Sequence, residues 1–136
     1  MRQERVKGNF ELGIDAQSFE EAEVVRRQLD AYNARDIDGF MACWANDAEV
    51  YAWPSDRIAK GAEEIRTRHI ERFNEPDLFA HLVSRTAVDG LVVDREVVTR
   101  NFPQGRGTLD VIGIYELEAG KIKRAWFKQG VPVFGD

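Results

Sequence analysis

Helical spacing and strand spacing occupy separate halves of this chain, and that segregation constrains the fold more than any single motif. Apolar residues recur at helical spacing between residues 18 and 75, while strand-like runs fill residues 78–134. Helices first and strands afterwards predict an α+β architecture and argue against alternating α/β units. A length of 136 residues suits one domain, and 43% hydrophobic residues supply a sizeable core. Residues 1–17 read as an N-terminal arm, in which Phe10, Leu12 and Ile14 alternate as in a short edge strand. Residues 18–136 read as the single domain.

Local signals set the expected elements. Ser18-Phe19-Glu20-Glu21 has the form of a capping box, so the first helix is expected to start there. Ala22, Val25, Leu29 and Tyr32 form its apolar face, with Gln28 on a neighbouring edge. Arg35-Asp36 is a polar joint, and Asp36 is placed to cap a short second helix carrying Phe40, Cys43 and Trp44. Ala48–Trp53 reads as a strand stopped by Pro54, and Ser55-Asp56-Arg57 as a loop. The third helix is expected from Gly61 to Asn74-Glu75-Pro76, with Ala62, Ile65, His69 and Phe73 on one face. Glu64 and Arg68 are spaced to pair on it. Asp89-Gly90 is a tight hairpin signal joining Phe79–Val88 to Leu91–Phe102. Two further strands, Thr108–Leu117 and Lys121–Gln129, complete a twisted antiparallel sheet. By alternation, Val92 and Val98 are expected on its outer face.

Charge and motif content exclude several functions. A net charge of −5 argues against nucleic acid as a partner, because phosphate binding needs a basic face. No run approaches the roughly 18 apolar residues of a membrane span, and the N-terminus has no apolar stretch suited to a signal peptide. A lone cysteine, Cys43, fits a reducing compartment, so the expectation is a cytoplasmic protein in which Cys43 is a small buried hydrophobe. His69 and His81 lie twelve residues apart and no cluster has ligand spacing, so no metal site is expected. Phosphate loops, G-x-G-x-x-G and G-x-S-x-G are absent from the sequence, and no cofactor is expected.

Three stretches carry a family resemblance: VVRRQLDAYNARDIDGFMACWANDAEVY from Val24, GAEEIR from Gly61, and IYELEAGKIKRAWF from Ile114. They resemble the SnoaL-like and ketosteroid-isomerase-like group of the nuclear transport factor 2-like superfamily. The resemblance implies a cone-shaped fold, three helices packed on a strongly curved, mostly antiparallel sheet, with one deep hydrophobic pocket. It also implies a homodimer, which fits the need to cover an apolar outer sheet face. Members include isomerases, cyclases, dehydratases, epoxide hydrolases and non-catalytic domains, so fold does not fix activity. Ketosteroid isomerases work with an Asp base, a Tyr and a protonated Asp. The overlay puts Gln28 at the tyrosine, Ala52 at the base and Gly113 (or Ile114) at the protonated acid. That mechanism is therefore excluded.

The overlay leaves His69 near Gln28, and Gln129 on the pocket wall. Tyr32, Trp44, Trp53 and Phe127 supply apolar walls, and Arg68 a further contact to substrate. Asp110 is the one carboxylate inside an apolar strand, where SnoaL-like cyclases are thought to use an Asp as acid/base. Its rival reading is an outward position paired with Arg100 or Arg124. Two function classes follow. One is a cofactor-free isomerase, cyclase or lyase acting on a small apolar carbonyl or polyketide-like compound, with His69 or Asp110 moving the proton. The other is a non-catalytic binding or dimerisation domain. The discriminator is a titratable group that faces the cavity with a displaced pKa. Asp110 pointing outward, with His69 tied to a backbone carbonyl, would favour the second.

Overall fold

The computed structural model describes residues 15–135. The arm's possible strand at Phe10, Leu12 and Ile14 lies outside the described residues. Among the described residues, three helices precede or interrupt the strands: α1 (Ala16–Ala34), α2 (Ile37–Met41) and α3 (Ala62–Arg72). Seven strands form one sheet: β1 (Trp44–Ala52), β2 (Asp56–Lys60), β3 (Phe79–Val88), β4 (Leu91–Phe102), β5 (Gly105–Glu118), β6 (Lys121–Gln129) and β7 (Val133–Phe134). Their order is β2-β1-β6-β5-β4-β3, with β7 beside the start of β5. Among the described residues only the β1–β6 pair is parallel. This is the α+β cone with helices on a curved, mostly antiparallel sheet.

The first helix begins earlier than its sequence suggests. Asp15, not Ser18, is the N-cap, and its carboxylate accepts from the Ser18 amide at 2.8 Å. Ser18 and Glu21 do a different job. The Ser18 hydroxyl accepts from the Asp89 amide at 3.2 Å, and Glu21 Oε1 accepts from the Gly90 amide at 2.9 Å. The capping-box residues thus hold the tip of the β3–β4 hairpin. At the other end Arg35 sits in the left-handed region (φ 57°), and the Asp36 amide reaches back to the Ala31 carbonyl at 2.9 Å. That closes a Schellman turn. Asp36 then caps α2 through the Gly39 amide at 3.0 Å. The Arg35 guanidinium donates to the Glu75 and Pro76 carbonyls at 2.7 and 3.1 Å, tying this joint to the end of α3.

The core lies between the helices and the concave face of the sheet. Val25, Phe40, Ile65, Val92, Tyr115 and Ile122 are almost wholly buried there. Each large apolar side chain so buried contributes about 1.5–3 kcal/mol. Cys43 is among these buried residues, as expected, and burial pushes its thiol pKa up. The expected loop at Ser55-Asp56-Arg57 is in part an edge strand, since β2 starts at Asp56 and pairs back onto β1. Glu64 does not pair with Arg68; its carboxylate caps the Lys60 amide at 2.7 Å.

The phase of β4 reverses the expectation from alternation. Val92 and Val98 face inward and are buried, and the acidic residues Asp94 and Glu96 share their face. The Asp89-Gly90 turn, with both residues at positive φ, pairs Ala87 with Val92 and Arg85 with Asp94. Small, buried Ala87 beneath α1 commits that face to the interior.

Candidate active site

A cavity of about 110 Å³ lies between α1, α3 and the concave face of the sheet. Its inner end is formed by buried Gln28, Trp44, Glu96 and Tyr115. Exposed Arg68, Ile58 and Gln129 mark its mouth. Leu29, Val98, Leu109, Val111 and Phe127 make the apolar wall. A volume of this order matches a ligand near one aromatic ring in size. A four-ring skeleton does not fit inside it.

Most of the residues expected at the site line this cavity. Gln28, Tyr32, Trp44, Arg68, His69, Phe127 and Gln129 all do. Asp110 and Trp53 do not. Asp110 is on the outer face of β5, exposed, 3.6 Å from Arg95. It alternates with inward Leu109 and Val111, so the strand's parity sends it away from the cavity. Its partner is neither Arg100 nor Arg124. Trp53 follows the end of β1 and is half-exposed.

His69 is at the cavity but does not act as an acid there. Its Nδ1 lies 2.8 Å from the Ile65 carbonyl. A carbonyl only accepts, so Nδ1 carries the proton and Nε2 holds the lone pair. Phe40, Tyr32 and Phe73 pack around the ring, with Phe40 at 4.4 Å between centroids. Burial, aided by Arg72 and Arg68 and opposed by the Ile65 hydrogen bond, pushes its pKa down to about 4. His69 is a neutral acceptor at pH 7.

The titratable group that the sequence reading missed is Glu96. Only 5% of it is exposed, and its Oε2 has no hydrogen-bond partner among the described residues. Burial, reinforced by the Asp94 carboxylate, pushes its pKa up to about 7; Arg85 opposes the shift. Arg85 is committed to Asp94 through two bonds of 2.6 and 2.8 Å, so its charge is largely spent there. The only other buried side-chain nitrogen or oxygen without a partner, among the described residues, is Trp44 Nε1. One acceptor and one donor, both desolvated, thus belong to side chains lining the same cavity. Unsatisfied buried polar atoms are rare in folded proteins and cost roughly 1–3 kcal/mol each.

Two phenols flank the acid. Tyr115 is fully buried, and its pKa is raised by burial and then by Glu96 and Asp94, while the Gln28 amide offsets part of the rise. Tyr32 is raised by burial, with Arg72 and Arg100 opposing. Both stay protonated donors at pH 7. Gly113 makes room for this arrangement. A Cβ there would lie 3.1 Å from the Tyr115 hydroxyl and 3.1 Å from Phe127 Cε1. Gly113 is therefore covered by a tyrosine ring, and the buried carboxylates come from the neighbouring strand.

Among the described residues no group of three His, Cys, Asp or Glu is arranged to hold a metal ion. No helix among them is long and apolar enough to cross a membrane.

A family model described as a SnoaL-like domain matches residues 25–125. The chain belongs to the SnoaL-like domain family, within the nuclear transport factor 2-like superfamily. Solved structures agree on the fold. An uncharacterized cystatin fold protein from Novosphingobium aromaticivorans is 27% identical with a TM-score of 0.74, over 79% of this chain and 96% of that one. Bal32a from a soil-derived mobile gene cassette is 21% identical with a TM-score of 0.74, over 83% and 91%. A LEH-like epoxide hydrolase from M. tuberculosis is 18% identical with a TM-score of 0.74, over 84% and 85%. At such identities the last two speak for fold alone. No curated protein matches the chain.

Proposed function

We propose that this protein is a cofactor-free acid/base enzyme of the isomerase, cyclase or lyase type, acting on a small, mostly apolar carbonyl compound, with Glu96 as the acid/base. The observation that carries the reading is Glu96 itself: a buried carboxyl lining an apolar cavity, with a free oxygen and a pKa of about 7. A base works best when its pKa lies near the working pH. The Glu96 carboxylate takes a proton from the carbon next to the substrate carbonyl. Electrons shift to the carbonyl oxygen, which accepts hydrogen bonds from the Tyr32 hydroxyl and Trp44 Nε1. Protonated Glu96 then returns the proton at a new position, or to a leaving oxygen. Tyr115, held by Gln28, orients the acid. Asp110 points outward and His69 is tied to the Ile65 carbonyl, the outcome that by itself favours the non-catalytic class; what supports the enzyme reading is Glu96, a titratable group on the cavity wall. We further infer a homodimer through the outer face of the sheet.

The test is Glu96→Gln against a panel of small enolisable ketones, followed by proton–deuterium exchange at the carbon next to the carbonyl. Loss of about 10²–10⁴-fold in kcat/KM with ligand binding retained is the expected result. Wild-type protein that binds these compounds and exchanges none of their protons would instead support the non-catalytic binding module.

A further inference from the structure

The mouth of the cavity is strongly cationic. Arg68 and Arg72 project from consecutive turns of α3, and Arg100 comes from the end of β4; all three line the cavity. One carboxylate, Glu75, faces them. It holds Arg100 through bonds of 3.1 and 2.7 Å and lies 3.6 Å from Arg72. Arg68 has no ion pair or hydrogen bond among the described residues. Partial burial first, then Arg72 and Arg100, oppose its charge; Glu71 is the one acid that supports it. Neutral His69 adds no charge, and the nearest cavity carboxyl, Glu96, lies at the buried inner end. Three guanidinium groups against Glu75, with only exposed Glu71 beside Arg68, leave a surplus positive charge beside an apolar wall. Such a surplus in a partly desolvated cleft costs stability unless an anion offsets it, and planar guanidinium groups match carboxylate oxygens in pairs.

We propose that the ligand is an organic carboxylate: its carboxylate is held at the mouth by Arg68, beside Arg72 and Arg100, and its apolar body extends along Leu29, Val98 and Phe127 toward Glu96. This narrows the substrate class of the reading above and rests on the same cavity, but not on Glu96 being a catalyst. The arrangement fixes which end of the ligand enters first. The carbonyl end goes in and the charged end stays at the rim.

The test is calorimetric titration of the full-length protein with phenylacetate, with phenylacetamide as its uncharged match, and with sodium sulfate. Wild-type protein is expected to bind the acid at least tenfold more tightly than the amide, with the preference weakening as salt rises. Arg68→Gln, an exposed position that leaves the core intact, is expected to remove most of that preference by weakening acid binding far more than amide binding. Glu96→Gln is expected to keep the preference, which separates this proposal from the acid/base reading. Equal affinity for acid and amide, or an unchanged preference in Arg68→Gln, would overturn the proposal. So would sulfate binding as tightly as phenylacetate, since the site would then hold an inorganic anion without using its apolar wall.

Discussion

Glu96 is held between opposing neighbours, and its position has a measurable cost. An ordinary glutamate titrates near 4.5, and this one near 7. A folded-state pKa above the unfolded value means that the folded chain binds more protons between those two values. The Glu96 contribution to stability is therefore fully present below about pH 4.5, is lost as pH rises through 7, and then levels off. The full shift corresponds to about 3 kcal/mol. Glu96→Gln removes the titration, so the variant is expected to be more stable than wild type at pH 8 and nearly equal to it at pH 4.5. Urea unfolding at the two pH values checks this. A variant equally destabilised at both would show that the carboxylate is a structural anchor. His69 acts in the opposite sense: its folded pKa near 4 lies below its ordinary 6.5, so its contribution is lost as pH falls through that window. Sequence reading found seven cavity residues and still missed the acid. Val92 and Val98 lie on one face of β4 and Val93 and Val97 on the other, so hydrophobicity alone does not choose between them. The hairpin held the missing information. A two-residue turn at Asp89-Gly90 pairs small Ala87 with Val92 and Arg85 with Asp94, which puts the Val92, Asp94 and Glu96 face inward.

At the scale of elements, the helical joint and the long strands were legible because their signals are local. β3, β4 and β6 run between the residues expected from their turn signals. The edge strands β2 and β7 were not legible, because short strands depend on a neighbour rather than on their own pattern. β7 is two residues long and rests on β5, where Gly107 admits the Phe134 ring. β5 depends in a similar way on Gly113, which lets Tyr115 and Phe127 lie across the strand. Gly113→Ala is expected to cost about 1–3 kcal/mol, because both rings are confined. Displacement of those rings should also weaken phenylacetate binding by severalfold. Thermal unfolding and the same titration report the two effects separately. Unchanged binding in a destabilised variant would mean that the rings relax without closing the cavity.

The whole molecule has two sheet faces with different roles. The concave face surrounds the cavity. On the outer face, Val93, Ile114, Trp126 and Tyr51 form an unbroken row across four strands, and the Tyr51 and Trp126 rings stack at 5.8 Å. One flanking row carries Glu116, Arg124 and Glu49, and the other Arg95, Ile112 and Lys128. An apolar stripe between charged rows suits pairing about a twofold axis, where each copy offers the same strip. Sedimentation of wild-type protein at micromolar concentration is expected to show a dimer, and Trp126→Glu a monomer. A monomeric wild type would remove the homodimer from the account. Assembly within one copy has its own signature. The hairpin bearing Glu96 is clasped at its tip by Ser18 and Glu21, some seventy positions away in sequence. In an isolated hairpin those two turn amides would face water and trade their protons for solvent within moments. Here their exchange with heavy water is expected to wait on the lifting of α1 from the sheet. Asp89 and Gly90 therefore act as a built-in clock for how often the cavity comes apart.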